Sequence, residues 1–275
     1  MDLDHARTVA VEAAEAAGAL LLEGMRGSVG GAVGVRAKGD AGDVVTDLDL
    51  ASEKLLLERI LTAYPSHAVI AEESGLVGAA GGEWTWLVDP LDGTNNVAIG
   101  LPAYVVGVAL CRGGRPVLGV VHDPVSAKTW SAIRGHGALS APAGSSSGVR
   151  LAPPYAPRPH GPLLAWTQGY DVTRDDTAVR ALKTALELHA RRLLQLWAPL
   201  LSWAMLARGD IDGIVGYRAE AVDLPAGALL AREAGIEIRA LDGGPFEECF
   251  DGTPDDRSFV AAHPRAMPGL LALLK

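Results

Sequence analysis

The segment Trp86-Leu-Val-Asp89-Pro90-Leu91-Asp92-Gly93-Thr94 constrains this chain more than any other. An apolar, strand-forming run ends on two acids that flank Pro-Leu, and Gly-Thr follows at once. Proline fixes φ and so fixes a turn at this point. In such a turn Asp89 and Asp92 could face one site, with the Leu91 carbonyl between them as a third hard oxygen. Gly93 lets the backbone approach a ligand closely, and a helix starting near Thr94 would turn free N–H groups toward an anion. A strand-ending turn whose aspartates only cap the next helix is the plainer alternative on these residues alone.

Other acids occupy comparable positions. Glu72 and Glu73 follow the short apolar run Ala68–Ala71, where they have no packing purpose but would also suit a solvated loop. Asp49 follows Val44-Val45-Thr46 in the first turn of a helix expected over Asp47–Ala63, so capping competes with ligation there. Asp223 opens Asp-Leu-Pro-Ala-Gly, with Pro225 suited to the first turn of a helix, and capping competes again.

The 275-residue chain is 49% hydrophobic, enough for a substantial core in one large or two small domains. Helical spacing over Asp2–Met25 ends in the glycine-rich stretch 27–34. Strands are expected at Trp84–Val88 and Lys128–Ile133, and Val105–Cys111 and Pro116–His122 flank a hairpin turn at 112–115. Ala141-Pro-Ala-Gly-Ser-Ser-Ser-Gly148 is the most linker-like stretch, which divides the chain into an α+β half, 1–145, and an α/β half, 146–275. In the second half, strands at Leu163–Thr167, Leu193–Leu196 and Ile211–Val215 alternate with helices at Asp175–Ala190, Pro199–Ala207 and Asp223–Ala234. A last strand and helix fall within Phe259–Leu274.

Charge, Pro or Gly interrupts the apolar stretches before they could span a bilayer, and Asp2, Asp4 and Glu12 are unlike a secretory signal, so a cytoplasmic protein without membrane contact is expected. Cys111 and Cys249 form neither a disulfide framework nor a zinc site and read as structural thiols. A net charge of −9 argues against a nucleic-acid partner held on a basic surface. It permits an acidic pocket in which divalent cations reverse the field felt by an anionic substrate.

In order along the chain, Asp43-Val-Val-Thr46 with Asp49, Glu72-Glu73-Ser74, Asp89-Pro-Leu-Asp-Gly-Thr94 and Asp223-Leu-Pro-Ala-Gly227 resemble the signature of the inositol monophosphatase family. The resemblance implies a five-layer αβαβα sandwich of the kind shared with fructose-1,6-bisphosphatases, a homodimer, magnesium dependence and inhibition by lithium. It assigns Glu72, Asp89 and the Leu91 carbonyl to one Mg2+, Asp89, Asp92 and Asp223 to a second, and Asp49 and Glu72 to a weaker third. Glu73 supports this set. Gly93 and Thr94 would bind phosphate through backbone N–H groups, and the Thr94 hydroxyl would orient a water, with Asp49 and Glu72 as its catalytic neighbours. Lys38 falls where many relatives have a lysine near the phosphate, and a solvated loop lysine is the alternative. The implied reaction is hydrolysis of a small phosphate monoester by direct attack of a metal-activated water.

Asp47-Leu-Asp49 superficially resembles the paired aspartates of haloacid-dehalogenase-type phosphatases, whose first Asp attacks phosphorus. That motif should end a strong apolar strand and be followed by Thr or Val, whereas Leu50-Ala51 follow here. A third possibility is a non-catalytic regulatory or binding protein that retains the fold.

The substrate side departs from the family pattern. Trp197-Ala198-Pro199-Leu200 replaces a run of small residues, Gly216 stands where inositol-specific relatives have Glu, and Val222 where they have Trp. Glu220, Arg218 and Tyr217 before Asp223 are candidate contacts to the leaving group, and Gln168 is a weaker one. Trp197 either stacks on a substrate ring or fills the core, and core packing is the favoured reading. Inositol phosphate, another sugar or cyclitol phosphate, histidinol phosphate and a nucleotide-derived phosphate all remain open as substrates.

Overall fold

The computed structural model describes residues 1–27, 34–38, 43–79 and 81–274, so most of the glycine-rich stretch 27–34 lies outside the described residues. Helix α1 (Leu3–Gly27) buries Ala6, Ala10, Ala13, Ala14, Ala17 and Leu21 along one stripe, and its small side chains let it lie close to its neighbours. Strands β1 (Arg36–Lys38) and β2 (Asp43–Val45) form a separate two-stranded ribbon that presents Lys38. Helix α2 (Asp47–Ala63) starts at a capping box: the Thr46 hydroxyl accepts from the Asp49 N–H, and the Asp49 carboxylate accepts from the Thr46 N–H.

An eight-stranded sheet follows, made of β3 (Ala68–Ala71), β4 (Gly75–Gly78), β5 (Trp84–Asp92), β6 (Val105–Arg112), β7 (Arg115–Asp123), β8 (Lys128–Ile133), β9 (Gly137–Pro142) and β10 (Val149–Leu151). Its spatial order is β10-β9-β8-β7-β6-β5-β3-β4, and only β3 and β5 run parallel. The short helix α3 (Thr94–Ala98) leaves the end of β5. The linker-like stretch 141–148 joins β9 to β10, and the chain leaves this sheet only after Leu151.

The remainder forms β11 (Leu163–Gln168), α4 (Thr177–His189), β12 (Arg192–Leu194), α5 (Pro199–Arg208), β13 (Gly213–Tyr217), α6 (Pro225–Glu233), β14 (Glu237–Ala240), β15 (Phe259–Ala262) and α7 (Met267–Leu273). The second sheet has the order β12-β11-β13-β15-β14. Its β12, β11 and β13 are parallel, and β15 is antiparallel to both its neighbours.

Period-two alternation along the strands stacks these elements into five layers. In β5, Trp86 and Val88 face α1 and α2, whereas Leu87 faces α5 and α6. In the second sheet, Ala165, Ile214, Phe259 and Ala261 face α5 and α6, while Leu164, Val215, Val260 and Ala262 face α4 and α7. Helices α5 and α6 are thus the shared middle layer, which explains why α6 is buried almost all round. The architecture is the expected αβαβα sandwich. Among the described residues, no helix is long and apolar enough to cross a membrane.

Candidate active site

Strand β5 runs past Val88, where the sequence pattern had suggested its end, as far as Asp92. It does so through a bulge: Asp89 lies opposite Gly107 and Asp92 opposite Val105, which leaves one extra residue on β5. Pro90 occupies that irregularity, where its missing N–H costs no ladder bond. The Pro90 carbonyl accepts a 2.7 Å hydrogen bond from the Ser52 hydroxyl of α2, and Leu91 N donates to Asp89 Oδ1 at 3.0 Å. Asp89 and Asp92 are therefore held by backbone geometry that the intervening Pro-Leu imposes.

Neighbouring elements converge on this bulge. Glu72 follows β3, the parallel neighbour of β5, and its N–H donates to the Val88 carbonyl at 3.3 Å. Asp223 comes just ahead of α6. One carboxylate oxygen from each of Asp89, Asp92 and Asp223 lies within 4.8 Å of the others. Leu201 N, in the first turn of α5, donates to Asp92 Oδ2 at 3.2 Å. Both middle-layer helices thus start at the acidic cluster, where their N-terminal dipoles favour negative charge.

The charges are crowded. Burial first, then the neighbouring acids Glu72, Asp92 and Asp223, push the Asp89 carboxyl well above the ordinary range. Burial, with Asp92 and then Glu72 adding to it, does the same to Asp223. Burial also raises Asp92, against the bond from Leu201. Burial lifts Glu72 to about 7 although the Lys38 ammonium opposes it. Lys38 Nζ donates to Glu72 Oε1 at 3.1 Å and to Glu73 Oε1 at 2.8 Å; burial works against its charge, but these glutamates outweigh it and hold the lysine above its ordinary value. Four crowded carboxyls offering only oxygen donors suit a hard divalent cation, which would relieve their repulsion.

Asp49 stands beside this set. Its Oδ2 accepts from the N–H and hydroxyl of Thr46, and its Oδ1 accepts a 2.8 Å bond from the Thr94 hydroxyl, which also lies 3.0 Å from the Leu91 carbonyl. Asp49 is fully buried, and burial raises its carboxyl against those hydrogen bonds. Gly93 has φ 111°, and a Cβ there would lie 2.7 Å from the Ala103 carbonyl, so the turn from β5 into α3 requires glycine. The N–H groups of Thr94 and Asn95 open α3, where no intrahelical partner exists for them.

A cavity of about 820 Å³ opens onto these groups. Glu72, Asp89, Leu91, Asp92, Gly93, Thr94 and Asp223 line it with Lys38, and so do Glu220, Gln168 and Trp197. Asp49, behind Thr94, does not line it. Glu220 Oε1 accepts from Tyr170 N at 2.8 Å, and Gln168 Oε1 accepts from the Trp166 indole at 3.0 Å. Arg218 points elsewhere: its Nε pairs with Asp255 Oδ1 at 2.7 Å, its guanidinium lies over Tyr217, and neither Arg218 nor Tyr217 lines the cavity. Trp197 is 60% exposed with φ 52°, which overturns the core-packing reading. Asn96 of α3 places it, donating from Nδ2 to the carbonyls of Leu196 and Ala103. Gly216 has a packing cause: a Cβ there would lie 2.3 Å from the Phe259 ring, so the glutamate of inositol-specific relatives has no room.

Sequence reasoning missed Ser52 and Glu53. The buried Glu53 carboxylate accepts from the Glu73 N–H at 2.8 Å, the Ser74 N–H at 3.1 Å and the Ser74 hydroxyl, and so holds the turn that carries Glu72. The signal was present: Asp49, Ser52 and Glu53 put three polar groups on one face of α2, at i, i+3 and i+4, where burial is expected.

A five-layer sandwich with an acidic, oxygen-only site where β5, α3, α5 and α6 meet defines a phosphatase fold able to hold metal. The chain belongs to the inositol monophosphatase family, whose model matches residues 2–275. It is 31% identical over 267 residues to the Nus factor SuhB of Escherichia coli, covering 97% of this chain and 94% of that one. Its fold matches the crystal structure of extragenic suppressor protein suhB from Bartonella henselae with TM-score 0.82 at 25% identity, over 98% and 97% of the two chains. It matches the inositol monophosphatase of Anabaena (Nostoc) with TM-score 0.81 at 28% identity, over 100% and 96%.

Proposed function

We propose that this protein is a magnesium-dependent phosphatase acting on a small phosphate monoester by direct attack of water. The observation that carries this reading is the convergence of Asp89, Asp92 and Asp223 within 4.8 Å beside the Thr94–Asp49 pair. Glu72, Asp89, Asp92, Asp223 and the Leu91 carbonyl would hold two ions, and Glu72 with Asp49 a weaker third. Bound magnesium supplies the positive charge and Lewis acidity that an anionic ester needs in an acidic pocket.

The chain's own groups do the rest. Backbone N–H groups of Gly93 and Thr94 hold phosphate oxygens at the start of α3. Thr94 donates its hydroxyl hydrogen to Asp49, so its oxygen lone pairs are left to accept a hydrogen bond from the attacking water. Asp49, raised by burial, is suited to take the proton that this water loses through Thr94. Glu220 and Trp197, on the cavity wall, bind the leaving group through hydroxyl contacts and ring stacking. The test is phosphate release from a monoester panel by metal-stripped protein with and without Mg2+.

The relatives named Nus factor favour a second reading, a regulatory or binding role, and they bear on the expectation of no nucleic-acid partner. Turnover that fails while the metal-loaded protein still binds phosphate would favour it. Homodimer assembly, lithium inhibition and a cytoplasmic location are further proposals from the family resemblance. Sedimentation equilibrium, a lithium titration of activity and cell fractionation test them in turn.

A further inference from the structure

Beside Lys38, two further cations line the cavity. Arg174, between β11 and α4, and Lys183, on α4, both line it. Among the described residues neither forms an ion pair. Lys183 Nζ lies 5.1 Å from the centroid of the Trp166 ring and 3.3 Å from Gln195 Oε1, which leaves the Gln195 amide nitrogen as a further donor. Burial holds this lysine below its ordinary value, and Glu187, one turn along α4, offsets that only in part. In a chain whose net charge is −9, this partly desolvated ammonium has an amide oxygen and an aromatic ring as neighbours but no carboxylate in ion-pair contact.

We propose that Arg174 and Lys183 form a subsite for a second anionic group, so that the preferred substrate is a small phosphate monoester carrying a further phosphate or carboxylate. Such a group would be repelled by Glu72, Asp89, Asp92, Asp223 and Glu220, which line the same cavity; of the lining cations Lys38 is already paired with Glu72 and Glu73, which leaves Arg174 and Lys183 to complement it. The Trp166 ring positions the Lys183 ammonium by a cation–π contact. This inference rests on the phosphatase reading above.

Three probes on one carbon skeleton test it: glucose 6-phosphate, 6-phosphogluconate and glucose 1,6-bisphosphate, which separate one anion, a phosphate with a carboxylate, and two phosphates. The expected result is a kcat/KM at least about tenfold higher for one or both doubly anionic esters than for glucose 6-phosphate. That ratio should fall to near one in Lys183→Ala and Arg174→Ala and recover in Lys183→Arg; a merely structural role would lower all three substrates together. Equal kcat/KM across the probes, or a preference that survives both alanine variants, overturns the subsite. Binding of the same probes by calorimetry, with Ca2+ in place of Mg2+, keeps the two claims separate. Binding preference without turnover supports the subsite and sinks only the phosphatase reading, whereas turnover without preference sinks only the subsite.

Discussion

The Thr94 hydroxyl donates to Asp49 Oδ1 across 2.8 Å, joining the residue that opens α3 to the capping box of α2. A side chain whose sequence position suits a helix cap therefore also orients a hydroxyl that lines the cavity with the acidic cluster. Thr94→Ala is expected to lower kcat by about 10²–10⁴ while leaving the fold intact. Thr94→Ser should restore much of the loss. Steady-state kinetics with circular dichroism checks this, and an alanine variant of undiminished kcat contradicts the role.

The crowded carboxyls make a stability prediction for metal-free protein. A carboxyl raised by folding binds its proton more tightly in the folded state, so its contribution is present at low pH and lost as pH rises through the folded value. For Glu72 that loss runs from about 4.5 to about 7, and Asp89, Asp92 and Asp223 act with the same sign. Thermal melting in EDTA should therefore show a lower Tm at pH 8.5 than at pH 6. Saturating Mg2+ should remove or reverse the difference, and a Tm in EDTA that rises over this range would count against the buried cluster.

Asp89 lies at the centre of that crowding, so Asp89→Asn carries two expectations of opposite sign. Activity should drop more than about 100-fold, beyond what loss of a group supporting a ligand costs. Metal-free Tm at pH 8.5 should rise, because one buried charge is gone. Differential scanning fluorimetry in EDTA beside a phosphate-release assay reads both.

Glu53 tests how the Glu72 turn is held. Glu53→Ala strands the N–H groups of Glu73 and Ser74, at about 1–3 kcal/mol for each one left buried and unsatisfied, and should weaken Mg2+ binding about 10–100-fold. Urea unfolding and magnesium titration measure the two effects, and unchanged magnesium affinity would confine Glu53 to stability.

Trp197→Ala separates the exposed position from the core reading. Truncating an exposed side chain should change stability by no more than about 0.5 kcal/mol, whereas a buried tryptophan would cost about 3–5 kcal/mol. KM for the best substrate should rise. A large loss in urea stability would restore the core assignment.

Short-range chemistry was legible in the sequence, and arrangement across the fold was not. The Asp89–Thr94 segment announced its turn because proline and glycine act locally, and the ordered motifs announced the family and its layers. That β5 continues to Asp92 was hidden, because a bulge depends on how β6 pairs with it. Trp197 was misjudged because hydrophobicity alone speaks for burial; its exposure follows from Asn96, 101 positions earlier, holding the Leu196 carbonyl. Arg174 and Lys183 gave no signal, since nothing in their spacing says that the β11–α4 connection and α4 bring them onto the same cavity as Asp223. Arg218 was a reasonable candidate by position, and Asp255 draws its guanidinium away.

Phosphate release during a magnesium titration of metal-stripped protein, over a panel of monoesters at pH 8, tests the central claim most directly. The acidic cluster predicts no release without metal, saturable release as Mg2+ is added, and none at any magnesium concentration in Asp89→Asn. Release that persists in EDTA, or no release from any ester by folded protein that binds magnesium, would contradict it.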